Sequence, residues 1–326
     1  MDHAQPATNV LGIKSLLGTE NLSSSQIRTI LDCAFFYKEA SNAKRTLPRS
    51  PLADKMVSLL FFEPSTRTRG SFELAAKRLG ANTIVMTQEA SSTTKGETLF
   101  DTAKTIQAMD PHVLVLRHAS AGSPHNLDRI LSTPVVNAGD GFHEHPTQAL
   151  LDLMTIEEFR GKISGLKVLI VGDIAHSRVA RSNIYALKTM GASVSVCGPR
   201  TLLPPKVEKL GVQVFDKLDK ALEGQDVVML LRIQTERLQP GQIPSQGEYT
   251  RFYGVTGERL KKFAKPDVLI MHPGPINRGV ELTPEVADGP HSVILNQVAN
   301  GVLLRMGVLH LLAGGEALKP KPRGSI

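Results

Sequence analysis

The chain has 326 residues, 41% of them hydrophobic, which is enough material for about two domains of ordinary size. Its 38 basic and 31 acidic side chains give a formal net charge of +7, but the two signs are interleaved along the sequence. This pattern favours small anionic ligands. It argues against nucleic-acid binding, because the sequence has neither a continuous basic stripe nor interleaved aromatic residues.

The cysteine content and the lengths of the apolar segments indicate in which cellular compartment the protein occurs. Cys33 and Cys197 provide neither a disulfide framework nor a cysteine-based zinc site. No segment approaches ~18 uninterrupted apolar residues, and the first ten residues do not resemble a secretory signal. The sequence therefore predicts a cytoplasmic protein that makes no use of a membrane.

Strand-like and helix-like segments alternate through the first half of the chain. Serines at 23–25 precede an apolar stripe at helical spacing, which predicts a capped helix. Apolar runs predict a first sheet of about four strands, at residues 56–62, 83–86, 113–116 and 134–137. A proline in the first turn and a buried stripe then predict a longer helix over Pro146–Arg160.

The second half of the chain repeats this alternation. Five further strands are predicted, each buried on both faces, at residues 167–172, 193–197, 212–215, 226–231 and 267–271. A stretch rich in Gly, Pro and Gln between residues 231 and 267 predicts a mobile functional loop, and apolar spacing predicts a helix over 292–312. The fold class is α/β, with two doubly wound parallel-sheet domains joined by interdomain helices.

The clearest candidate site follows the first predicted strand. Ser65, Thr66, Arg67, Thr68 and Arg69 occur where a helix begins, so hydroxyls, guanidinium groups and main-chain N–H groups converge there. A phosphate monoester needs this combination of donors. The alternative is a simple helix cap with exposed arginines, which would explain one serine or threonine but not the whole run.

Glycines near the predicted strand ends do not form a nucleotide-binding loop. No G-x-x-x-x-G-K-[ST] motif occurs, and Gly172 lacks the second glycine of a dinucleotide fingerprint, which disfavours a nicotinamide dehydrogenase. Gly70 lies early in the helix that follows the phosphate-type segment, where glycine costs up to ~1 kcal/mol relative to alanine. We expect a neighbouring backbone to approach it closely.

A histidine-containing turn precedes the helix over Pro146–Arg160. His145 and Gln148 straddle the helix start, where an imidazole and an amide can hydrogen-bond a carbonyl oxygen and an NH₂ group; a histidine cap is the alternative. His143 and His145 are also potential metal ligands. No third ligand follows at the usual spacing, so the sequence predicts no metal site.

Isolated cations and one rigid turn follow other predicted strands. Arg117, Arg178 and Arg232 each occur after a strand, and ligands of open α/β sheets bind beyond the carboxyl ends of the strands. Pro273 and Gly274 follow the last strand, in a turn that can present backbone carbonyls to a ligand.

In chain order, these segments resemble the catalytic chains of aspartate carbamoyltransferases, within the aspartate/ornithine carbamoyltransferase superfamily, over roughly residues 16–312. The matching motifs are Ser-Thr-Arg-Thr-Arg at 65–69, Lys-Gly-Glu at 95–97, Arg-His at 117–118, His-Pro-Thr-Gln at 145–148, His-Ser-Arg at 176–178, Arg-x-Gln-x-Glu-Arg at 232–237 and His-Pro-Gly-Pro at 272–275. The last motif differs from the His-Cys-Leu-Pro expected of an ornithine enzyme. Arg178 and Arg232 also suit a dicarboxylic acceptor, whereas they would repel a cationic one.

The resemblance implies roles for individual residues, with no metal and no cofactor. The implied carbamoyl phosphate ligands are Ser65, Thr66, Arg67, Thr68, Ser91, Arg117, His145, Gln148, Pro273 and Gly274. The implied L-aspartate ligands are Lys95, Arg178, Arg232 and Gln234. The implied catalytic residues are Arg67, Thr68, Lys95, Arg117, His145 and Gln148.

The resemblance also implies an activity and an assembly. The enzyme would carbamoylate L-aspartate in an early step of pyrimidine biosynthesis, with a carbamoyl phosphate domain at residues 1–150 and an aspartate domain at 151–291. A C-terminal helix at about 292–313 would pack back on the first domain. The active sites of a homotrimer would be shared through Ser91 and Lys95, and regulatory chains or dihydroorotase are possible further partners. Two alternatives are a carbamoyltransferase with another acceptor and a non-catalytic anion-binding protein.

Overall fold

The structure is a computed structural model that describes residues 9–43, 50–87, 98–233 and 245–321. The chain divides into two compact units: the first comprises Met1–Met154 and Ala299–Ile326, and the second comprises Thr155–Val298. Each unit contains one parallel sheet with helices between its strands. The predicted α/β class with two parallel sheets is therefore confirmed.

The first unit contains a four-stranded sheet in the order β2-β1-β3-β4. Its strands are β1 (Met56–Phe61), β2 (Asn82–Thr87), β3 (Val113–His118) and β4 (Val135–Asp140), and all their pairings are parallel. The strands predicted from apolar runs are confirmed. Because the strands are parallel, their carboxyl ends share one edge of the sheet, where the polar motifs begin.

The helices of the first unit begin at short polar side chains or at proline. They are α1 (Ser24–Asn42), α2 (Thr66–Arg78), α3 (Leu99–Gln107), α4 (Ser123–Ile130) and the start of α5 (Pro146–Arg160). Ser23 caps α1 as predicted: its hydroxyl accepts from the Gln26 amide at 3.2 Å, and the Gln26 side chain accepts from the Ser23 amide at 2.9 Å. The helix predicted over Pro146–Arg160 is also confirmed.

The second unit contains a five-stranded sheet in the order β7-β6-β5-β8-β9. Its strands are β5 (Lys167–Val171), β6 (Ser193–Cys197), β7 (Gln213–Phe215), β8 (Val227–Leu230) and β9 (Leu269–Met271). The prediction that every strand is buried on both faces is wrong for β7, whose three residues are exposed or half-buried. The reason is its place at the sheet edge, where it pairs only with β6.

Helices also occupy much of the stretch predicted as a mobile loop. The helices of the second unit are α6 (Arg178–Thr189), α7 (Leu218–Leu222), α8 (Gln246–Tyr253), α9 (Gly257–Phe263) and α10 (Pro284–Ala287). The loop prediction is wrong for α8 and α9, because Ser245 and Thr256 cap them and Tyr249 and Leu260 are buried. Residues 234–244 lie outside the described part. The last helix, α11 (Ile294–Leu312), begins in the second unit and ends in the first.

Within the described residues, no helix is both long enough and apolar enough to cross a bilayer.

Gly70 lies in α2, and the close approach expected there is absent. A Cβ built on Gly70 meets no atom within 4 Å in the described part of the chain. The expectation of a neighbouring backbone is therefore wrong for this chain. By contrast, a Cβ on Gly301 of α11 would lie 2.8 Å from Arg305 Nη1 and 3.2 Å from a methyl carbon of Leu151.

We expect Gly70→Ala to raise the free energy of unfolding by about 0.5–1 kcal/mol, because alanine restricts the unfolded chain and its methyl group meets no atom. The matched Gly301→Ala change overpacks a buried contact and should lower that free energy by about 1–3 kcal/mol. Urea unfolding followed by circular dichroism measures both. A loss of stability in Gly70→Ala would contradict the open space at this position.

Candidate active site

The segment after β1 forms the start of α2. Ser65 is the N-cap, and its hydroxyl accepts from the Thr68 amide at 3.4 Å. Thr66 and Arg67 follow as the first two residues of the helix, and both are exposed. The first amides of a helix have no intrahelical acceptor and lie at the positive end of its dipole. Hydroxyl, guanidinium and amide donors therefore occur together at one exposed helix start, as the sequence predicted.

Arg117 is placed beside this helix start by the sheet. The register pairs Phe61 of β1 with Arg117 of β3, and Phe62 N donates to the Arg117 carbonyl at 2.9 Å. Arg117 is 8% exposed, so it is not a solvated surface charge. Its Nη2 lies 2.9 Å from Glu63 Oε1, and its Nη1 donates to the Ala138 carbonyl at 3.2 Å. These contacts fix the direction of the guanidinium group.

Sequence reasoning missed Glu63. It lies between the first strand and the phosphate-type segment, and nothing local distinguishes it from a surface carboxylate. Its role depends on Arg117, which is distant in sequence and reaches it only through the pairing of β1 with β3. The carboxylate offsets part of the cost of burying that arginine.

His145 and Gln148 lie at the start of α5, beyond the carboxyl end of β4, and both are buried. The His145 carbonyl accepts from the Gln148 amide at 3.0 Å. The side-chain NH₂ of Gln148 donates to Asp152 Oδ1 at 3.0 Å, so Gln148 Oε1 is the end that can accept from an NH₂ group. This orientation suits the role that the sequence suggested for Gln148.

Arg305 of α11 links the two helix starts in the first unit. Its Nη1 donates to Ser71 Oγ of α2 at 2.9 Å, and its Nη2 donates to Thr147 Oγ1 of α5 at 3.5 Å. Its guanidinium carbon lies 5.0 Å from the centre of the Phe72 ring. Hydroxyl groups of both helices are therefore held by one side chain.

Burial lowers the pKa of Arg305 to about 10, and the nearby Asp152 carboxylate opposes this effect. The guanidinium still carries its charge at neutral pH. The sequence signal was an arginine inside an otherwise apolar helix, which periodicity alone does not assign to a partner.

In the second unit, Arg178 and Arg232 lie beyond the carboxyl ends of two adjacent strands. Arg178 is buried and opens α6, whose N-cap Ser177 accepts from the Ala180 amide at 3.1 Å. Arg232 is half-buried and follows β8, which pairs with β5. The strand order reverses between β5 and β8, and such a reversal is where α/β sheets bind ligands.

Pro273 and Gly274 follow β9 in a turn held by buried side chains. Gly274 has φ +69°, in the left-handed region that favours glycine, and its amide donates to His272 Nδ1 at 2.8 Å. Because Nδ1 accepts, the imidazole proton lies on Nε2, which donates to Glu281 Oε1 at 3.2 Å. The same oxygen accepts from the Asn277 amide at 2.8 Å. Sequence reasoning missed Glu281.

Three of the predicted site residues, Ser91, Lys95 and Gln234, lie outside the described residues. The other predicted ligands fall into two groups, one at the carboxyl edge of each sheet. The first unit carries Ser65, Thr66, Arg67, Thr68, Arg117, His145 and Gln148, and the second carries Arg178, Arg232, Pro273 and Gly274.

The sequence indicated His143 and His145 as two potential metal ligands, but the structure does not bring these two side chains together in one group. In the described residues, His143 is grouped with His125 and Asp140, and His145 is not part of this group. His125 comes from α4, outside the spacing that the turn itself could reveal, so the sequence could not indicate it as a companion of His143.

Comparisons with known proteins agree with this division. Residues 14–158 match the family described as aspartate/ornithine carbamoyltransferase, carbamoyl-P binding domain, and residues 164–312 match its Asp/Orn binding domain. The chain belongs to the aspartate/ornithine carbamoyltransferase family.

Individual members of the carbamoyltransferase family align over nearly the whole chain. The aspartate carbamoyltransferase catalytic subunit of Syntrophotalea carbinolica is 54% identical over 307 residues, covering 94% of this chain and 97% of the relative. Aspartate transcarbamoylase from Trypanosoma cruzi, in complex with carbamoyl phosphate and aspartate, is 29% identical with a TM-score of 0.83, covering 94% and 99%. Ornithine carbamoyltransferase from Pyrococcus furiosus is 30% identical with a TM-score of 0.82, covering 93% and 97%.

We expect Glu281→Ala to lower kcat/KM about 10–100-fold, because His272 and the Asn277 amide lose their acceptor and the Pro273–Gly274 carbonyls lose their fixed direction. Glu281→Gln keeps an oxygen acceptor and should recover most of the activity. Steady-state kinetics with each substrate varied measures the effect.

The matched control for this prediction is Glu285→Ala, which removes an exposed carboxylate that accepts from the Gly257 amide at 3.3 Å. It should leave kcat/KM near the wild-type value. Equal effects of Glu281→Ala and Glu285→Ala, or no recovery in Glu281→Gln, would contradict a positioning role.

Proposed function

We propose that this chain transfers the carbamoyl group of carbamoyl phosphate to the α-amino group of L-aspartate, giving N-carbamoyl-L-aspartate and phosphate. This reaction is an early step of pyrimidine biosynthesis. The fold does not choose the acceptor, since an ornithine carbamoyltransferase has a TM-score of 0.82 against this chain. The observation that carries the choice is the pair Arg178 and Arg232 at one edge of the second sheet, which suits two carboxylates.

The carbamoyl phosphate ligands belong to the first unit. The phosphate is held by the amides and side chains of Ser65, Thr66, Arg67 and Thr68 at the start of α2. Arg117 bridges the phosphate and the carbamoyl oxygen, and its Glu63 partner holds its direction.

The carbamoyl group itself is polarised by several donors. Thr68, Arg117 and His145 donate to the carbamoyl oxygen, and they stabilise the negative charge that develops there. Gln148 Oε1 accepts from the carbamoyl NH₂, because the amide nitrogen of Gln148 is already directed at Asp152. Three donors and one acceptor therefore fix the orientation of the carbamoyl group.

The reaction needs no covalent enzyme intermediate. The neutral α-amino group of aspartate attacks the carbamoyl carbon and forms a tetrahedral oxyanion, and the bond from carbon to the phosphate oxygen then breaks. The departing phosphate takes the proton from the attacking amine. The protein acts by alignment and by charge stabilisation.

The acceptor ligands belong to the second unit and to a neighbouring chain. Arg178, Arg232 and Gln234 bind the aspartate carboxylates, and the carbonyls of Pro273 and Gly274 accept from the carbamoyl or amino nitrogen. Ser91 and Lys95 reach the site of a neighbouring subunit, so the active form is a homotrimer in the cytoplasm. Regulatory chains and dihydroorotase are further candidate partners of this trimer.

Phosphate release from carbamoyl phosphate should depend on L-aspartate and not on L-ornithine, with N-carbamoyl-L-aspartate as the product identified by mass spectrometry. His145→Ala should lower kcat by ~10²–10³, because one oxyanion donor is lost. His291→Ala, which changes a histidine outside the site, should keep wild-type turnover. Turnover with ornithine, or with neither acceptor in folded oligomeric protein, would refute the proposed reaction.

Two inactive variants should restore activity when their chains are exchanged. In mixed trimers of Arg67→Ala and Lys95→Ala chains, some sites receive Arg67 from one subunit and Lys95 from its neighbour, so equal mixing should give roughly a quarter of wild-type activity. The control mixes Arg67→Ala with Arg117→Ala, both supplied by one chain to its own site, and should stay inactive. No recovery after confirmed subunit exchange would disprove sites shared between subunits.

A further inference from the structure

A second group of ligand-type side chains lies between α4 and the turn that leads into α5. His125 of α4, Asp140 at the end of β4 and His143 in the turn each present one ligand atom, and these atoms all lie within 4.8 Å of one another. None of the three is among the residues assigned to carbamoyl phosphate or aspartate. Two imidazoles and one carboxylate are a donor set suited to Zn²⁺ and related divalent transition metals.

The carboxylate of this group is buried and held in place. Asp140 has 0% exposure. Its Oδ1 accepts from Asn137 Nδ2 at 2.8 Å and from the Glu144 amide at 3.1 Å, and its Oδ2 accepts from the Gly122 amide at 2.7 Å. An anionic ligand that is oriented by neighbouring donors loses little freedom when it binds a cation.

His143 already lies at a distance from Asp140 that suits two ligands of one ion. Its Nδ1 is 3.0 Å from Asp140 Oδ2, where the two groups form a hydrogen bond. Metal–ligand bonds of ~2.0–2.2 Å in tetrahedral geometry place neighbouring ligand atoms only slightly farther apart. A cation would replace this hydrogen bond, and His143 would bind through Nδ1 in the tautomer that carries its proton on Nε2.

His125 supplies an independent observation. Its Nδ1 is buried and has no hydrogen-bond partner among the described residues. Its ring centre lies 5.3 Å from that of His143, with the two ring planes at 62°. A buried nitrogen without a partner is unfavourable, and a cation bound by this nitrogen would satisfy it. The His143 side chain is 29% exposed, which gives an ion a path from solvent.

Other ionisable groups near the cluster are directed elsewhere. His118 Nδ1 lies within hydrogen-bond distance of the Ser120 amide, at 2.9 Å, and of Ser123 Oγ, at 3.1 Å. The Glu144 carboxylate accepts from the amide and the hydroxyl of Thr19, at 2.7 and 2.8 Å. The protein therefore offers three ligands from the described residues, and solvent completes the coordination of the ion.

We propose that His125, Asp140 and His143 form a binding site for one divalent transition-metal ion of the Zn²⁺ class. The ion joins α4 to the turn between β4 and α5, and it takes no part in carbamoyl transfer. The site depends only on the geometry of the first unit. Evidence for or against the proposed function therefore does not affect this proposal.

The test uses the untagged full-length chain, freed of metal with a chelator and titrated with Co²⁺. We expect one Co²⁺ per chain, visible d–d absorption from the bound ion and loss of that absorption when Zn²⁺ displaces it. His125→Ala and His143→Ala should each weaken binding by more than ~10-fold. His291→Ala, which removes a histidine of the second unit, should bind Co²⁺ like the wild type.

Thermal unfolding gives a second measurement. Zn²⁺ should raise the unfolding midpoint of the wild type and of His291→Ala, and leave that of His125→Ala unchanged. Circular dichroism of the metal-free variants shows whether they fold, and His125→Asn replaces His125→Ala if alanine is not tolerated. Absence of the Co²⁺ absorption in the wild type, or binding by the folded His125 variant as tight as in the wild type, would overturn the proposal.

Discussion

The parallel direction of the strands in each sheet is the constraint on which the candidate site depends. Parallel pairing brings all carboxyl ends to one edge, and the following helices begin at that edge with their amide groups available. In the first unit this collects the starts of α2 and α5 and the guanidinium of Arg117 from three different strands. In the second unit it collects Arg178, Arg232 and the Pro273–Gly274 turn.

Buried charges then fix the directions of these groups. Arg117 is paired with Glu63, and Arg305 is surrounded by hydroxyls of α2 and α5 with Asp152 nearby. Burying such cations is unfavourable unless most of their donors are satisfied, so each arginine favours one arrangement of the elements that its guanidinium contacts. In the second unit, the hydrogen-bonded pair of His272 and Glu281 does the same for the Gly274 amide.

Local patterns in the sequence were sufficient to predict the strands and most of the helices. They were insufficient for features that depend on contacts between residues far apart in the chain. Apolar runs predicted the strands, and the motifs at their ends indicated which polar side chains lie at the carboxyl edge of each sheet. Glu63, Glu281 and Arg305 were not found, because each acts through a partner far along the chain or packed from another element. The edge position of β7 and the helices α8 and α9 were missed for a related reason: sheet order and burial of Tyr249 are properties of the folded unit.

The two units also separate two kinds of specificity. The first unit matches the carbamoyl-P binding domain that aspartate and ornithine enzymes have in common, and its polar groups are held by buried arginine contacts. In the proposed reaction, the second unit distinguishes the two carboxylates of aspartate from the cationic side chain of ornithine. A cation beside Arg178 and Arg232 would meet repulsion, which is strengthened where Arg178 is buried. On this proposal, a change of acceptor within one fold would require changes at a few strand ends of the second sheet and none at the helix starts of the first.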